Sequence, residues 1–146
     1  MQRKAKKYPI ELLKVSEFEV RLVRDKPTKK AAISSPEDAK HVLMPLCTFD
    51  REQSFVVYLN ARRQVVGVEL ISVVHPSEVF KGAILANAAA IIVAHTHPSG
   101  YADPSDEDKA ITKRLTQAGE LLGIAVLDHV ILTVRGQHSM RAWNQL

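Results

Sequence analysis

The sequence predicts an α/β protein in which helices flank a mixed β-sheet. Short apolar runs that are typical of buried strands alternate with capped helical segments, and a polar turn joins two of the runs into a hairpin. The composition is that of a globular protein, with 46% hydrophobic and 25% charged residues. Because 146 residues suffice for one domain with its own core, we expect any metal site to serve chemistry rather than folding.

The first predicted elements are a capped helix and a β-hairpin. Ser35 is the expected N-cap of a helix that ends near residue 46, and Asp38 completes its capping box. The hairpin strands are rich in apolar and β-branched residues, and we expect them at residues 55–59 and 65–74. This antiparallel pair gives the predicted sheet its mixed character.

The second half of the chain alternates between helices and strands. A helix begins at Pro76, an apolar strand spans residues 90–94, and a longer helix is expected at about residues 105–122. The two strands that close the chain are expected at residues 124–134 and 139–143. The alternation of strands and helices, with a hairpin in the middle, indicates a mixed sheet flanked by helices.

The basic character of the chain is concentrated at its start. Residues 1–30 hold ten basic and four acidic side chains, whereas residues 31–146 hold ten basic and twelve acidic ones. We expect residues 1–31 to form a basic arm with a first strand inside residues 10–23, and residues 32–146 to form the compact domain. The arm could make a weak contact with nucleic-acid phosphates, although a solvated tail explains the same charges.

Several classes of protein do not fit the composition. Cys47 is the single cysteine, so neither an intramolecular disulfide nor a thiolate cluster for zinc is expected. Aromatic residues make up only 5%, which argues against an aromatic platform for single-stranded nucleic acid. No apolar stretch approaches the roughly 18 residues that a membrane span needs, and no signal-peptide pattern opens the chain. We therefore expect a cytoplasmic protein without a membrane contact.

The residues that carry chemistry follow the apolar strand at residues 90–94. His95 and His97 stand two positions apart on extended backbone, so both imidazoles point to the same side and can converge on one cation. Asp108 falls in the first turn of a helix capped by Ser105, where the helix dipole favours a carboxylate. A loop rich in proline and glycine can bring this turn back to the histidines. Two histidines and one carboxylate leave an open tetrahedral position, as in catalytic zinc sites.

The spacing of these residues resembles the JAMM motif of JAB/MPN-type metalloproteins, which reads His-x-His, seven residues, Ser, two residues, Asp. The motif falls on His95, His97, Ser105 and Asp108 without a gap. The closer resemblance is to the bacterial RadC-like branch, and it runs from about residue 32 to the end of the chain. Further segments that match this branch are residues 51–55 (REQSF), 75–80 (HPSEVF), 122–124 (LGI) and 127–129 (LDH).

The resemblance implies a JAB/MPN architecture, which is similar to that of cytidine deaminases, with one Zn²⁺ held by His95, His97 and Asp108. It also implies that Glu52 is the general base and that Ser105 hydrogen-bonds the oxyanion of a tetrahedral intermediate. The implied reaction is hydrolysis of an amide, peptide or isopeptide bond in a peptide or amide-containing substrate. The sequence identifies neither the substrate nor the oligomeric state.

Other roles for several residues stay open at this point. Glu52 could be an edge glutamate paired with Arg51, and Glu69 and Glu78 are rival candidates for the base. Three residues that recur in the resemblance have no role assigned by the spacing, namely His75, Asp128 and His129. A buried histidine bonded to the backbone is the favoured interpretation, and support of the zinc site from behind its ligands is the alternative.

Two further residues complete the expectations for the site and the core. Thr96 stands where the RadC-like branch commonly has Asn, and Trp143 is expected to close the core.

The second function class is a DNA-repair-associated accessory protein that binds DNA or a DNA-processing partner, which the basic arm and the resemblance favour. Many RadC-like proteins carry a helix-hairpin-helix module, and we expect no room for one in these 146 residues, which weakens this alternative. A non-catalytic interaction module is a third interpretation, and the intact motif argues against it.

Overall fold

Five β-strands form one mixed sheet in the order β2-β1-β3-β4-β5. The elements belong to a computed structural model that describes residues 31–146. In chain order they are α1 (Pro36–Leu43), β1 (Ser54–Leu59), β2 (Val65–Ile71), α2 (Pro76–Leu85), β3 (Ala90–Thr96), α3 (Asp106–Leu122), β4 (Ala125–Leu132) and β5 (Gln137–Ser139). Only β3 and β4 are parallel, and the other neighbouring strands are antiparallel. The predicted α/β class with a mixed sheet is confirmed, while the strand expected at residues 10–23 and the basic arm lie outside the described residues.

Side chains that alternate along the strands build one apolar layer on each face of the sheet. Val57 and Ile92 pack beneath α1 on one face. Val56, Ile91 and Val93 pack beneath α2 and α3 on the other. Because β1 and β3 are buried on both faces, they read as continuous apolar runs in the sequence.

The helices begin where the sequence predicts. Ser35 caps α1 with the expected capping box to Asp38, and Ser105 caps α3 in the same way. However, α1 ends at Leu43, and a 3₁₀ turn follows because Pro45 has no N–H to continue the α-helical ladder. Within residues 31–146, no helix combines the length and the apolar character that crossing a bilayer would require.

The strand ends differ from the prediction where a partner strand is missing. β2 stops at Ile71, short of residue 74, because its partner β1 begins at Ser54, which pairs with Ile71. β4 stops at Leu132 because the N–H of Thr133 donates to the carbonyl of Gly136 in a turn. Strand length is therefore set by the neighbour that supplies hydrogen bonds.

The last strand lies earlier than expected, so the prediction of a strand at residues 139–143 is wrong. β5 spans Gln137–Ser139, after which the chain turns away because the N–H of Arg141 donates to Asp128 Oδ1 across 3.1 Å. Trp143 does not close the core as expected. It is 68% exposed and stacks on the ring of His138 at a centroid distance of 5.4 Å.

Candidate metal centre

Three side chains with lone-pair donors converge where β3 ends. His95 Nε2 lies 2.9 Å from His97 Nε2. The Asp108 carboxylate oxygens lie 3.3 Å from His95 Nε2 and 3.7 Å from His97 Nε2. Each of these three residues offers one possible metal-binding atom, and the three atoms all lie within 4.8 Å of one another. The structure thus brings together all three residues that the sequence suggested as ligands.

The strand phase explains why His95 faces α3. Val93 belongs to the apolar layer beneath α2 and α3, so His95, two positions later in β3, points to the same face. His95 is 2% exposed, so its imidazole lies inside the protein rather than on the rim of the sheet. The first turn of α3 supplies Asp108 to this buried imidazole.

A capping box fixes the carboxylate of Asp108. The Ser105 hydroxyl accepts the N–H of Asp108 across 3.1 Å, and Asp108 Oδ2 accepts the N–H of Ser105 across 2.8 Å. These two bonds restrict the rotation of the Asp108 side chain. Helix capping therefore also orients the carboxylate toward the histidines.

A backbone carbonyl orients His97. The Nδ1 atom of His97 lies 2.8 Å from the carbonyl oxygen of Tyr101, and a carbonyl oxygen can only accept. The proton of the neutral ring is therefore on Nδ1, and the lone pair is on Nε2. Gly100 makes the return of the loop possible, because its φ of 83° lies in the left-handed region.

The electrostatics favour the protonation states that ligate a metal. Burial lowers the pKa of His95, although the charge of Asp108 opposes this shift. Burial acts to raise the pKa of Asp108, but hydrogen bonds from Ser105 and the neighbouring His95 outweigh it and lower that pKa. Near neutral pH, the site therefore contains a neutral imidazole and an ionised carboxylate.

The donor set fits a single divalent cation. A tetrahedral ion with ligand bonds of about 2.0 Å requires about 3.3 Å between ligand atoms. The two Nε2 atoms lie 2.9 Å apart and Asp108 Oδ1 lies 3.3 Å from His95 Nε2, close to this value, while the 3.7 Å distance to His97 Nε2 is measured from the other carboxylate oxygen, Oδ2. Two imidazole nitrogens and one carboxylate oxygen are the donors of catalytic zinc sites, and they leave one tetrahedral position open.

Glu52 precedes Gln53, whose N–H donates to the hydroxyl of Thr96 between the two histidines. It lines a cleft of about 380 Å³ together with its neighbours in residues 51–54 and with residues 70–72. The negative charge of Glu52 acts to raise the pKa of the His95 imidazole, against the larger lowering by burial. The rival carboxylates have partners of their own, because Glu69 accepts the hydroxyl proton of Tyr58 and Glu78 pairs with Lys81.

The three residues that the sequence left without a role lie in different environments. His129 is 1% exposed, and its Nε2 lies 2.8 Å from His95 Nδ1, so it contacts a residue of the cluster directly. His75 is exposed and caps α2, so the expectation of a buried histidine is wrong for it. Asp128 is buried and accepts the hydroxyl proton of Ser139, which ties β4 to β5.

Sequence reasoning missed Thr112. Its hydroxyl lies 2.6 Å from His129 Nδ1 and 2.6 Å from the carbonyl oxygen of Asp108. One feature of the sequence could have indicated Thr112. It follows Asp108 by one helical turn and therefore lies on the same face of α3. The partner His129 comes from another element, so the contact itself is tertiary.

The sheet and the cluster together define an α/β domain of the JAB class. A family model for the RadC-like JAB domain matches residues 33–145. The chain therefore belongs to the RadC-like JAB domain family.

Relatives in several bacteria carry the name UPF0758 protein. The chain is 42% identical over 143 residues to that of Rubrobacter xylanophilus, a match that covers 92% of this chain and 63% of the relative. It is 44% identical over 130 residues to that of Desulfitobacterium hafniense, covering 84% and 57%. It is 43% identical over 120 residues to that of Caldanaerobacter subterraneus, covering 77% and 52%. The chain thus spans between 52% and 63% of the length of these curated relatives.

Proposed function

We propose that this protein is a zinc-dependent hydrolase of the JAMM type that cleaves an amide, peptide or isopeptide bond. The observation that supports the proposal is the convergence of His95, His97 and Asp108, with donor separations of 2.9 to 3.7 Å. Catalytic zinc sites share this donor set and its open position, whereas structural zinc sites have four protein ligands.

The remaining side chains supply the rest of the chemistry. A divalent cation bound here would polarise a carbonyl group and lower the pKa of a water molecule toward about 7. Glu52 would accept the proton of the attacking water and deliver it to the leaving amine. Ser105 accepts the amide proton of Asp108, and its hydroxyl would donate its own proton to the oxyanion.

A titration of the metal-free protein with Zn²⁺ tests the metal site. We expect the wild-type protein to bind one equivalent and the His97→Ala and Asp108→Asn variants to bind at least about 100-fold more weakly, because each loses a ligand. His41→Ala is the matched control, since this exposed histidine of α1 lies outside the cluster. Undetectable binding to the wild-type protein, or wild-type affinity in His97→Ala, contradicts the proposal.

Hydrolysis of a panel of acyl-amide, peptide and isopeptide substrates by the zinc-loaded protein tests the reaction. Glu52→Gln should lower turnover by about 10²-fold to 10⁴-fold, the usual contribution of a general base, while zinc affinity stays unchanged. Glu78→Gln serves as the control, because Glu78 is an exposed glutamate that already pairs with Lys81 at 2.7 Å. Equal turnover in wild type and Glu52→Gln removes Glu52 from the mechanism.

A second candidate function is that of a DNA-repair-associated accessory protein. The observation that favours it is the ten basic side chains among residues 1–30. If this arm binds phosphates, DNA affinity should fall steeply with salt, and deletion of residues 1–7 should flatten that dependence. Binding that is absent or independent of salt rules out this role for the arm.

A further inference from the structure

A chain of hydrogen bonds runs from the cluster into the core behind it. His95 Nδ1 lies 2.8 Å from His129 Nε2, and His129 Nδ1 lies 2.6 Å from the hydroxyl of Thr112. The same hydroxyl lies 2.6 Å from the carbonyl oxygen of Asp108. Thr112 is fully buried and His129 almost so, which shields these bonds from water. The chain therefore begins at one residue of the cluster and ends at the backbone of another.

The direction of each bond follows from the groups involved. The carbonyl oxygen of Asp108 can only accept, so the single hydroxyl proton of Thr112 points to it. The Thr112 oxygen must then accept from His129, which places the His129 proton on Nδ1. The surroundings of His129 are buried, and a second proton on its ring would be costly there. Its Nε2 therefore carries a lone pair.

This lone pair sets the tautomer of His95. His129 Nε2 accepts, so His95 must donate from Nδ1 and keep its own lone pair on Nε2. His95 Nε2 is the atom that faces His97 and Asp108. In the other tautomer a hydrogen on Nε2 would point into the cluster, where it would block ligation.

We propose that Thr112 and His129 are positioning residues that fix the Nδ1–H tautomer of His95 and so direct its Nε2 lone pair at the metal. This proposal rests on the proposed metal site. The usual partner behind a ligating histidine is a carboxylate, a backbone carbonyl or water. Here the partner is a neutral imidazole, which can accept only while Thr112 holds its proton on the far nitrogen. Through two hydrogen bonds, the hydroxyl of Thr112 thus determines which ring nitrogen of His95 carries the proton.

Thr116 offers a matched control for Thr112. Its hydroxyl makes the same kind of bond to a carbonyl four residues earlier in α3, because Thr116 Oγ1 donates to the backbone carbonyl oxygen of Thr112 across 3.0 Å. The hydrogen bonds of the described residues include none between Thr116 and an imidazole. The hydroxyl bond to the helix backbone is common to both threonines, whereas the tautomer role belongs to Thr112 alone.

The first experiment measures the imidazole nitrogens of the metal-free protein by ¹⁵N NMR. In the wild-type protein we expect His95 and His129 to be protonated on Nδ1. Thr112→Val should move His95 toward the Nε2–H form, while Thr112→Ser and Thr116→Val should keep the wild-type pattern. A wild-type His95 that carries its proton on Nε2 overturns the proposal without any variant, so the test does not depend on Thr112→Val folding.

The second experiment measures Zn²⁺ affinity by calorimetry on the same proteins. Loss of a group that orients a ligand weakens metal binding by about 10-fold to 100-fold, and we expect this for Thr112→Val. Thr112→Ser and Thr116→Val should bind as the wild type does. Wild-type affinity in a folded Thr112→Val protein overturns the positioning role and leaves the metal site intact. A wild-type protein that does not bind zinc contradicts the proposed function instead, and the NMR result still decides the tautomer.

Discussion

The hydroxyl of Thr96 donates a hydrogen bond to the carbonyl oxygen of Arg51 across 3.1 Å. The same hydroxyl accepts the N–H of Gln53 across 2.9 Å, so it holds the backbone on both sides of Glu52. Thr96 is fully buried, which protects both bonds from exchange with water. A residue between the two histidines therefore positions the segment that carries the proposed base.

Thr96→Val should impair the proposed base Glu52 and leave the metal site unchanged. Valine keeps the shape but removes the hydroxyl, so the segment at Glu52 loosens while both histidines keep their strand positions. We expect turnover to fall by about 10-fold to 100-fold, because small displacements of a catalytic group cost this much. Zinc affinity should stay at the wild-type level. Stability should fall by about 1–3 kcal/mol, since the N–H of Gln53 loses its acceptor.

Thr96→Ser is the control for that change, because it retains the hydroxyl. Steady-state kinetics, zinc calorimetry and chemical denaturation on the three proteins separate the effects. Full turnover in Thr96→Val would show that the two bonds do not orient Glu52.

Two identical capping boxes allow a clean test of Ser105. Ser35 and Ser105 each cap a helix and each pair with an aspartate three residues later. Replacing either serine with alanine should cost about 1 kcal/mol of folding stability, the usual contribution of an N-cap. Only Ser105→Ala should also lower turnover, by about 10²-fold or more if its proton stabilises an oxyanion.

Denaturation and kinetics on Ser35→Ala and Ser105→Ala make this comparison. The assay contains saturating zinc, so that a small change in Asp108 orientation does not limit occupancy. A Ser105→Ala protein with wild-type turnover would restrict Ser105 to capping.

The local parts of the site were predictable from sequence because their geometry is set within a few residues. The alternation of side chains in a strand fixes the relation of His95 to His97, and the capping box fixes Asp108 relative to Ser105. The spacing of these local units also matched a family motif. The prolines and glycine of the connecting loop made its return plausible, so these residues could be placed in one cluster from the sequence.

The strand ends, the bond behind His95 and the position of Trp143 depend on contacts between elements, which a single sequence does not encode locally. The end of β2 is set by the start of its neighbour β1, and the hydrogen bond between His95 and His129 requires the pairing of β3 with β4. Trp143 looked like a core residue from its chemistry, yet a turn held by Asp128 places it outside. Apolar character alone does not decide burial when the backbone direction is set elsewhere.

Gly82 is required by the packing of α2 on β1 and β2. A Cβ at this position would overlap the hydroxyl of Tyr58 and the carboxylate of Glu69, which are hydrogen-bonded to each other. Gly82→Ala should therefore destabilise the protein by about 1–3 kcal/mol despite the better helix propensity of alanine. At Gly67 an added Cβ would meet Tyr58 at an ordinary 3.4 Å, so Gly67→Ala is the control. Equal denaturation midpoints for the two variants would contradict this steric account.

The burial of His129 should make the stability of the metal-free protein depend on pH. Burial lowers the pKa of His129 from 6.5 to about 3, and the neighbouring His95 acts in the same direction. Below the unfolded pKa, the unfolded chain binds a proton that the native state refuses. Stability should therefore decrease as the pH falls from about 6.5 toward about 3, by up to about 1.4 kcal/mol per pH unit for this one group. Above that window the imidazole is neutral in both states and contributes no slope.

Urea denaturation of the chelator-treated protein at several pH values between about 7 and about 4 measures this slope. His129→Gln removes the titrating group, so its stability should decline less steeply with acid than that of the wild-type protein, whatever its stability at neutral pH. His41→Gln, at an exposed position of α1, should keep the wild-type slope. Parallel curves for wild type and His129→Gln would mean that burial does not lower the pKa of His129, which would contradict this account of the pH dependence.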